Sequence, residues 1–377
     1  MKSKIRNRKS KIRVLVVDDS ALARKILVDG LSRDPHIEVI GTARDPYVAR
    51  DILVKERPDV ITLDVEMPRM DGVTFLRRYM PVIPTPTVMV SALTERGKRI
   101  TIAALEAGAV DVVLKPRVGV VDEFPTMMTD LRERVKAAAQ VDVSHYAQAQ
   151  SRLRRRPMPP VAANGALVNG ALGEASDALH ESTDRVIAIG ASAGGVAALV
   201  RVIPAFPPAA PGIVVIQHMP AGFTSSFAER LNHQSAMQVK EAKSGDRVRP
   251  GLVLIAPGGE RHMEVRRSGG EYRVRLTEGE KVSGHKPSVD VLFHSVARYA
   301  GRNAAAAILT GMGDDGADGL LAIRQAGGRT FAQDERTSVV FGMPRAAWEK
   351  GAAEMQVPLD KVPARLLQAL RSWEESI

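Results

Sequence analysis

Short apolar runs and helical spacings alternate five times between residues 12 and 138. IRVLVV (12–17) reads as a buried strand, and IEVIGTA (37–43), DVITLD (59–64), TPTVMVS (85–91) and DVVLKP (111–116) share its β-rich character. Helical spacing marks ALARKILVDGL (21–31), YVARDILVKE (47–56), RITIAALEAG (99–108) and MMTDLRERVKAAA (127–139). Parallel strands need a crossover about as long as a helix, and the helical runs lying between these strands are of that length. The alternation predicts an α/β fold: a doubly wound, five-stranded parallel sheet with helices on both faces.

The rhythm stops at residues 139–184, where RRRPMPP and AANGALVNGALG show no periodicity. Pro, Gly, Ala, Asn and Arg in such a stretch predict a flexible linker. A second α/β unit opens at RVIAIG (185–190) and continues through IVVIQ (213–217), LVLIA (252–256), AAAAILT (304–310) and RTFA (329–332). HMEVRR and EYRVRLTEG read as a hairpin inside it, and SFAERLN, VDVLFHSVARYA and GLLAIRQAG as helices. The expected organisation is a basic extension (1–11), a first domain (12–138), a linker (139–184) and a second α/β domain with a mostly parallel sheet (185–377).

At 377 residues the chain suits two cores better than one. It contains no cysteine, which excludes a disulfide framework, a thiol nucleophile and a zinc–cysteine centre. No apolar run reaches membrane-spanning length and MKSKIRNRKSK lacks a signal-peptide core, so a cytoplasmic protein is expected, not embedded in a membrane. The net charge of +10 would suit nucleic acid or an acidic partner. Two basic stretches, residues 2–13 and the cluster Arg152, Arg154, Arg155 and Arg156, carry part of it without either.

Ligands bind parallel sheets at the C-terminal strand ends. In the first unit those ends carry Asp18 and Asp19, Asp64, Ser91 and Lys115. Three carboxylates on one edge repel each other unless a cation lies among them, and all-oxygen ligation suits Mg²⁺. With a hydroxyl and an ammonium beside them, they form a site for a phosphoryl group on a carboxylate.

In the second unit, RVIAI runs into Gly190-Ala191-Ser192-Ala193-Gly194-Gly195 and then a helical pattern. Small neighbours permit a sharp turn that presents Ser192 at a helix N-terminus, where backbone N–H groups can hold an oxyanion. A dinucleotide fingerprint also wants such a turn. Here, however, Ser192 replaces its central glycine and the next strand ends in Gln217-His218 instead of a ribose-binding acid. His218 can take the serine proton, and a carboxylate behind it would fix its tautomer. Spacing leaves Asp314 and Asp315 equally placed for that task. The other seven histidines are expected in helices, loops or the linker.

VVDDS, LDVEMPRMDG, MVSALT and LKP resemble the receiver-domain signature of bacterial response regulators. The resemblance implies that Asp64 accepts phosphate from a histidine kinase. Asp18, Asp19, Asp64 and the Glu66 backbone carbonyl would then bind Mg²⁺, and Ser91 and Lys115 would serve the switch. Where many receivers carry an aromatic residue on the fifth strand, this chain has Val112 and Val113. IGASAGG, VVIQHMPAGFTSSFAERLN, VRPGLVLIAPGG, HKPSVDVLFHSVA, ILTGMGDDG and FGMPRAA resemble the catalytic domain of chemotaxis protein-glutamate methylesterases. That family joins a receiver to this domain. The resemblance implies Ser192 as nucleophile, His218 as base and Asp315 as the orienting carboxylate, with Ala193, Gly194 and Met312 beside the oxyanion. Ala193 stands where the family usually has threonine. The implied enzyme is a phosphorylation-regulated serine esterase that demethylates chemoreceptor glutamyl esters, deamidates glutamines and needs no cofactor for the esterase step. A response regulator with a non-enzymatic output such as DNA binding is the alternative, and a nucleotide-dependent oxidoreductase a third class.

Overall fold

A computed structural model describes residues 11–92, 94–115, 124–141, 143 and 185–371. The expected extension and linker therefore lie outside the described residues, apart from residues 11, 139–141 and 143.

The first half forms β1 (Ile12–Val17), α1 (Ala21–Leu31), β2 (Ile37–Ala43), α2 (Pro46–Glu56), β3 (Val60–Asp64), α3 (Gly72–Tyr79), β4 (Thr87–Ser91), α4 (Glu95–Glu106), β5 (Asp111–Leu114) and α5 (Phe124–Ala138). The five strands make one parallel sheet in the order β2-β1-β3-β4-β5. β3 and β4 are buried along their whole length, as strands covered by helices on both faces must be. The helices start on caps: Ser20, Asp45, Asp71 and Thr94 each accept a backbone N–H from the first turn. The Thr94 cap starts α4 four residues before the apolar spacing begins at Arg99.

The second half continues with β6 (Val186–Ala191), α6 (Gly195–Val202), β7 (Gly212–Gln217), α7 (Phe223–Gln234), β8 (Gln238–Glu241), β9 (Arg247–Val248), β10 (Leu252–Ile255), β11 (His262–Ser268) and β12 (Glu271–Thr277). Then follow α8 (Val289–Tyr299), β13 (Ala304–Ile308), α9 (Ala317–Gln325), β14 (Arg329–Gln333), α10 (Met343–Glu349), β15 (Met355–Val357) and α11 (Val362–Arg371). Seven strands form a parallel sheet in the order β15-β14-β13-β6-β7-β10-β8. The expected hairpin β11–β12 pairs with β9 in a small antiparallel sheet. β8, β9 and β15 were not legible as strands, because QVKE, RV and MQV are short and half polar.

Two packing features set up the sheet edge. β13 is AAAAI, fully buried, so helices approach it closely. Gly190 lies so near α8 that a Cβ there would fall 2.4 Å from Val289 Cγ1. The N-terminus of α8 is thereby drawn to the end of β6. The halves also touch: α4 packs against α6 and α7, and buried apolar side chains from both sheets form one continuous cluster. A second cluster on the other face of the seven-stranded sheet belongs wholly to residues after 185.

Candidate active site

β6 is flanked by β7 on one side and β13 on the other, so the chain reverses direction across the sheet at β6. Such a reversal opens a crevice above the strand ends. Ser192, His218 and Asp315 all stand at that edge. β6 turns sharply at Ser192: its N–H donates to Thr310 O (3.0 Å), and Gly195 N donates back to Ser192 O (2.7 Å). Gly194 caps α6 with φ +74°, and a Cβ there would sit 2.5 Å from Val339 Cβ. Glycine is required on both counts. Ser192 is left half-buried at the helix N-terminus.

His218 follows β7 and ties its N–H to Ala191 O (3.0 Å). Its Nε2–H donates to Asp315 Oδ2 at 2.8 Å, while Nδ1 is buried and has no hydrogen-bond partner. The carboxylate thus keeps the proton on Nε2 and leaves the Nδ1 lone pair for an incoming proton. Ser192 Oγ is not bonded to Nδ1 here, and such contacts tighten when substrate binds.

Asp315 is only 1% exposed, whereas Asp314 is exposed. Besides His218, the Asp315 carboxylate accepts Ser288 Oγ–H (2.7 Å), Val289 N–H (2.8 Å) and Asp290 N–H (3.0 Å). The last two are first-turn amides of α8, so the carboxylate caps a helix N-terminus. Burial pushes Asp315 upward, but the bond and charge of His218, with the Asp290 and Ser288 donors, hold it below the usual carboxylate value.

Ala193 and Gly194 occupy the turn after Ser192, and the exposed Met312 lines the cleft facing it. Gly194 N–H donates to Val110 O, 3.3 Å away in the loop before β5. Leu105, Ala109, Val110, Asp111 and Val112 lie over Ser192 and His218 and leave a gap of only about 10 Å³, room for one water at most. Beside it a wider cleft of about 850 Å³ lies between the halves, with Arg134 and Met127 on one wall and His285 and Met312 on the other.

At the edge of the first sheet, Asp18, Asp19 and Asp64 present carboxylate oxygens within 4.8 Å of one another. Lys115 Nζ lies 2.8 Å from both Asp18 and Asp64. Burial raises Asp64 to about 6 against the pull of Lys115, with the Asp18 charge adding to the rise. Burial lowers Lys115, but the two carboxylates outweigh it and lift the amine above its ordinary value. Ser91 is fully buried, accepts a hydrogen bond from Thr101 Oγ1 (2.8 Å) and donates to Ala92 O (3.2 Å). Glu66 is exposed just beyond β3, and Val112 and Val113 are buried in β5.

Four residues that sequence reasoning passed over shape the second site. Ser288 anchors Asp315; a serine before an apolar helical run is an N-cap signal that marks it. The Gln217 side-chain amide donates to Ser192 O (2.9 Å) and His218 O (3.0 Å). His262 corrects the expectation that the remaining histidines avoid strands: it opens β11, is 3% exposed, and accepts Ser288 N–H at Nδ1 (3.2 Å). His285 lies in a loop, as expected, yet its ring is stacked on His218.

Residues 187–366 match a family described as CheB methylesterase, and residues 14–118 one described as response regulator receiver domain. The chain is 55% identical to a protein-glutamate methylesterase/protein-glutamine glutaminase of Syntrophotalea carbinolica over 96% of its own length and 98% of the relative's. Identity is 51% to the second such protein of Pseudomonas aeruginosa, covering 95% and 96%. It is 49% to that of Sulfurimonas denitrificans, covering 95% and 98%.

Proposed function

We propose a reaction and a mode of control for this chain, which belongs to the protein-glutamate methylesterase/protein-glutamine glutaminase family. Ser192 Oγ attacks the carbonyl of a glutamyl γ-methyl ester on a chemoreceptor, and His218 Nδ1 takes the hydroxyl proton. The tetrahedral oxyanion is met by backbone N–H groups of Ala193, Gly194 and Met312. As the intermediate collapses, the methoxide leaves with the proton from His218 as methanol. Water, deprotonated by His218, then hydrolyses the acyl-serine to free glutamate. A glutamine side chain follows the same course with ammonia as leaving group. Asp315 stays ionised throughout and favours the imidazolium over neutral imidazole.

The observation that carries this reading is the division of labour on one ring. His218 Nε2 is committed to a buried, helix-capping carboxylate, Nδ1 has no hydrogen-bond partner, and Ser192 and His218 line the same small gap.

The proposed division of the chain is an extension to residue 11, a receiver over 12–138, a linker over 139–184 and a catalytic domain from 185. In the receiver, Asp64 is the phosphate acceptor and a histidine kinase the donor. The donor set suits Mg²⁺: hard oxygens on three clustered carboxylates, two of them buried. Asp18, Asp19, Asp64 and the Glu66 carbonyl would hold it, and when bound it neutralises charge on the transferred phosphoryl group. Lys115 and Ser91 would meet the phosphoryl oxygens, which requires the Ser91 hydroxyl to leave Ala92 O. A receptor helix is about 10–12 Å across and cannot reach Ser192 under the loop that carries Val110. Phosphorylation therefore acts by lifting the receiver. Among the described residues no helix is long and apolar enough to cross a membrane.

Methanol release from methylated receptor membranes, with Mg²⁺ and with or without acetyl phosphate, tests the reading. Release that rises with acetyl phosphate is expected; no release under either condition overturns it.

A further inference from the structure

The rings of His218 and His285 lie 3.8 Å apart, centroid to centroid, with only 12° between their planes. The His218 ring is held by its Cβ–Cγ bond and by one hydrogen bond from Nε2 to Asp315, which leaves its tilt about that bond to be set by what packs against its faces. Rotation would swing Nδ1 away from Ser192. A flat partner against the ring face removes that freedom. Two flat rings in face contact attract each other and exclude tilts that would drive one into the other. The contact selects among ring orientations that differ little otherwise.

The loop that presents His285 is tied down at several points. His285 N donates to Val282 O (2.9 Å) and Val282 N returns a bond to His285 O (3.1 Å). Lys286 Nζ donates to Gly279 O (2.6 Å), and His262 Nε2–H donates to Glu280 O (2.8 Å). His262 Nδ1 then accepts Ser288 N–H, and Ser288 donates to Asp315. One loop therefore supplies both the face that His218 rests on and the hydroxyl that fixes its carboxylate.

We propose that His285 is a positioning residue for the esterase, a stacking platform that holds His218 in the plane in which Nε2 meets Asp315 and Nδ1 meets Ser192. Its face acts, not its nitrogens. Burial, with His218 and then Arg134 adding to it against Asp315 and Asp111, pushes its imidazole down to about 4. The platform is thus neutral when His218 takes the serine proton, and a neutral π face beside a new imidazolium is favourable where a second cation would repel it.

This rests on the assignment of Ser192, His218 and Asp315, and the experiment separates the two. Full-length protein with Mg²⁺ and acetyl phosphate is assayed for methanol release over a range of methylated receptor concentrations. Ser192→Ala, His285→Ala and His285→Phe are compared with the native chain, and far-ultraviolet circular dichroism checks folding. A reacting group misplaced by up to about 1 Å costs about tenfold to a hundredfold. His285→Ala is expected to lose that much in kcat with KM within twofold, and His285→Phe to stay within threefold of native. Should His285→Ala not fold, His285→Leu, apolar but not flat, takes its place. Ser192→Ala near native activity means the nucleophile assignment has failed. An inactive Ser192→Ala beside a His285→Ala within twofold of native overturns the platform alone. It is equally overturned if His285→Phe falls as far as His285→Ala, or if the loss appears only in KM.

Discussion

Gly194 donates its backbone N–H to the carbonyl oxygen of Val110 across 3.3 Å, from the turn behind Ser192 to the loop that enters β5 of the receiver. On the proposed mechanism that N–H would serve the oxyanion, and here it is occupied by a carbonyl of the same chain. On that reading the receiver does more than shade the serine, because substrate would have to replace a bond that already exists. The ion pair of Glu106 with Arg230 clamps the same contact from α4 to α7.

Loosening that clamp is expected to release activity. Arg230 is partly exposed, so the pair is worth about 0.2–1 kcal/mol. Arg230→Ala should therefore raise the activity of the unphosphorylated chain by at most about fivefold, and shrink the gain from acetyl phosphate in proportion. Methanol release before and after the phosphodonor measures both. An unchanged basal rate would remove this contact from the control of the enzyme.

The two neighbouring aspartates separate cleanly. Asp315→Asn places an amide where four donors converge and offers no charge to the imidazolium; the cost is expected near 10⁴ in kcat. Asp314 is exposed and bonds none of these groups, so Asp314→Asn should stay within a few-fold. Single-turnover hydrolysis of methylated receptor distinguishes them, and the reverse ranking would shift the assignment by one residue.

Strands that carry continuous apolar runs were legible from sequence because burial on both faces demands them: IRVLVV, VIAIG and IVVIQ lie where expected. Strand ends in a parallel sheet share an edge, so Asp18, Asp64, Ser192 and His218 could be grouped without coordinates. Edge strands were lost, since QVKE and MQV pair on one side only and need no apolar run. The supporting histidines were lost for another reason. His262 and His285 reach the site through β11 and a long loop, and no spacing rule links a loop to a strand end some 70 residues earlier in the chain.

Stability should depend on pH through His285. Its folded value of about 4 lies below the ordinary histidine value near 6.5. The unfolded chain therefore binds the proton first, and the contribution is fully present above pH 6.5 and lost as pH falls toward 4. The charged and titrating groups around it are His218, Asp315, Arg134 and Asp111. His285→Phe should lower the sensitivity of the melting temperature between pH 7 and pH 5 relative to the native chain. Parallel melting curves for the two proteins would count against this account.

Asp64→Asn is expected to abolish base-labile phosphate incorporation from acetyl phosphate and Mg²⁺. The substitution leaves Lys115 paired with Asp18, so the receiver should keep its fold. It should also leave methanol release at the unphosphorylated level whether or not the donor is present. Incorporation that persists would place the acceptor elsewhere.

A fragment beginning at Thr183 tests whether the receiver restrains the esterase or recruits its substrate. β6 starts at Val186, and every strand of the seven-stranded and three-stranded sheets lies after it. One apolar cluster belongs to this half alone, so that face of the sheet keeps its packing when the receiver is removed. Truncation removes the Val110 carbonyl, the Glu106 clamp and the residues that reduce the space over Ser192 to one water. It also uncovers Val196 and Met219, now 2% and 8% exposed, at the mouth of the site. If the receiver restrains, the fragment should release methanol faster than the unphosphorylated full chain at equal concentration and ignore acetyl phosphate. If the receiver recruits, the fragment should be slower on receptor membranes. A folded fragment no faster than the unphosphorylated parent would leave the bond between Gly194 and Val110 without a regulatory role.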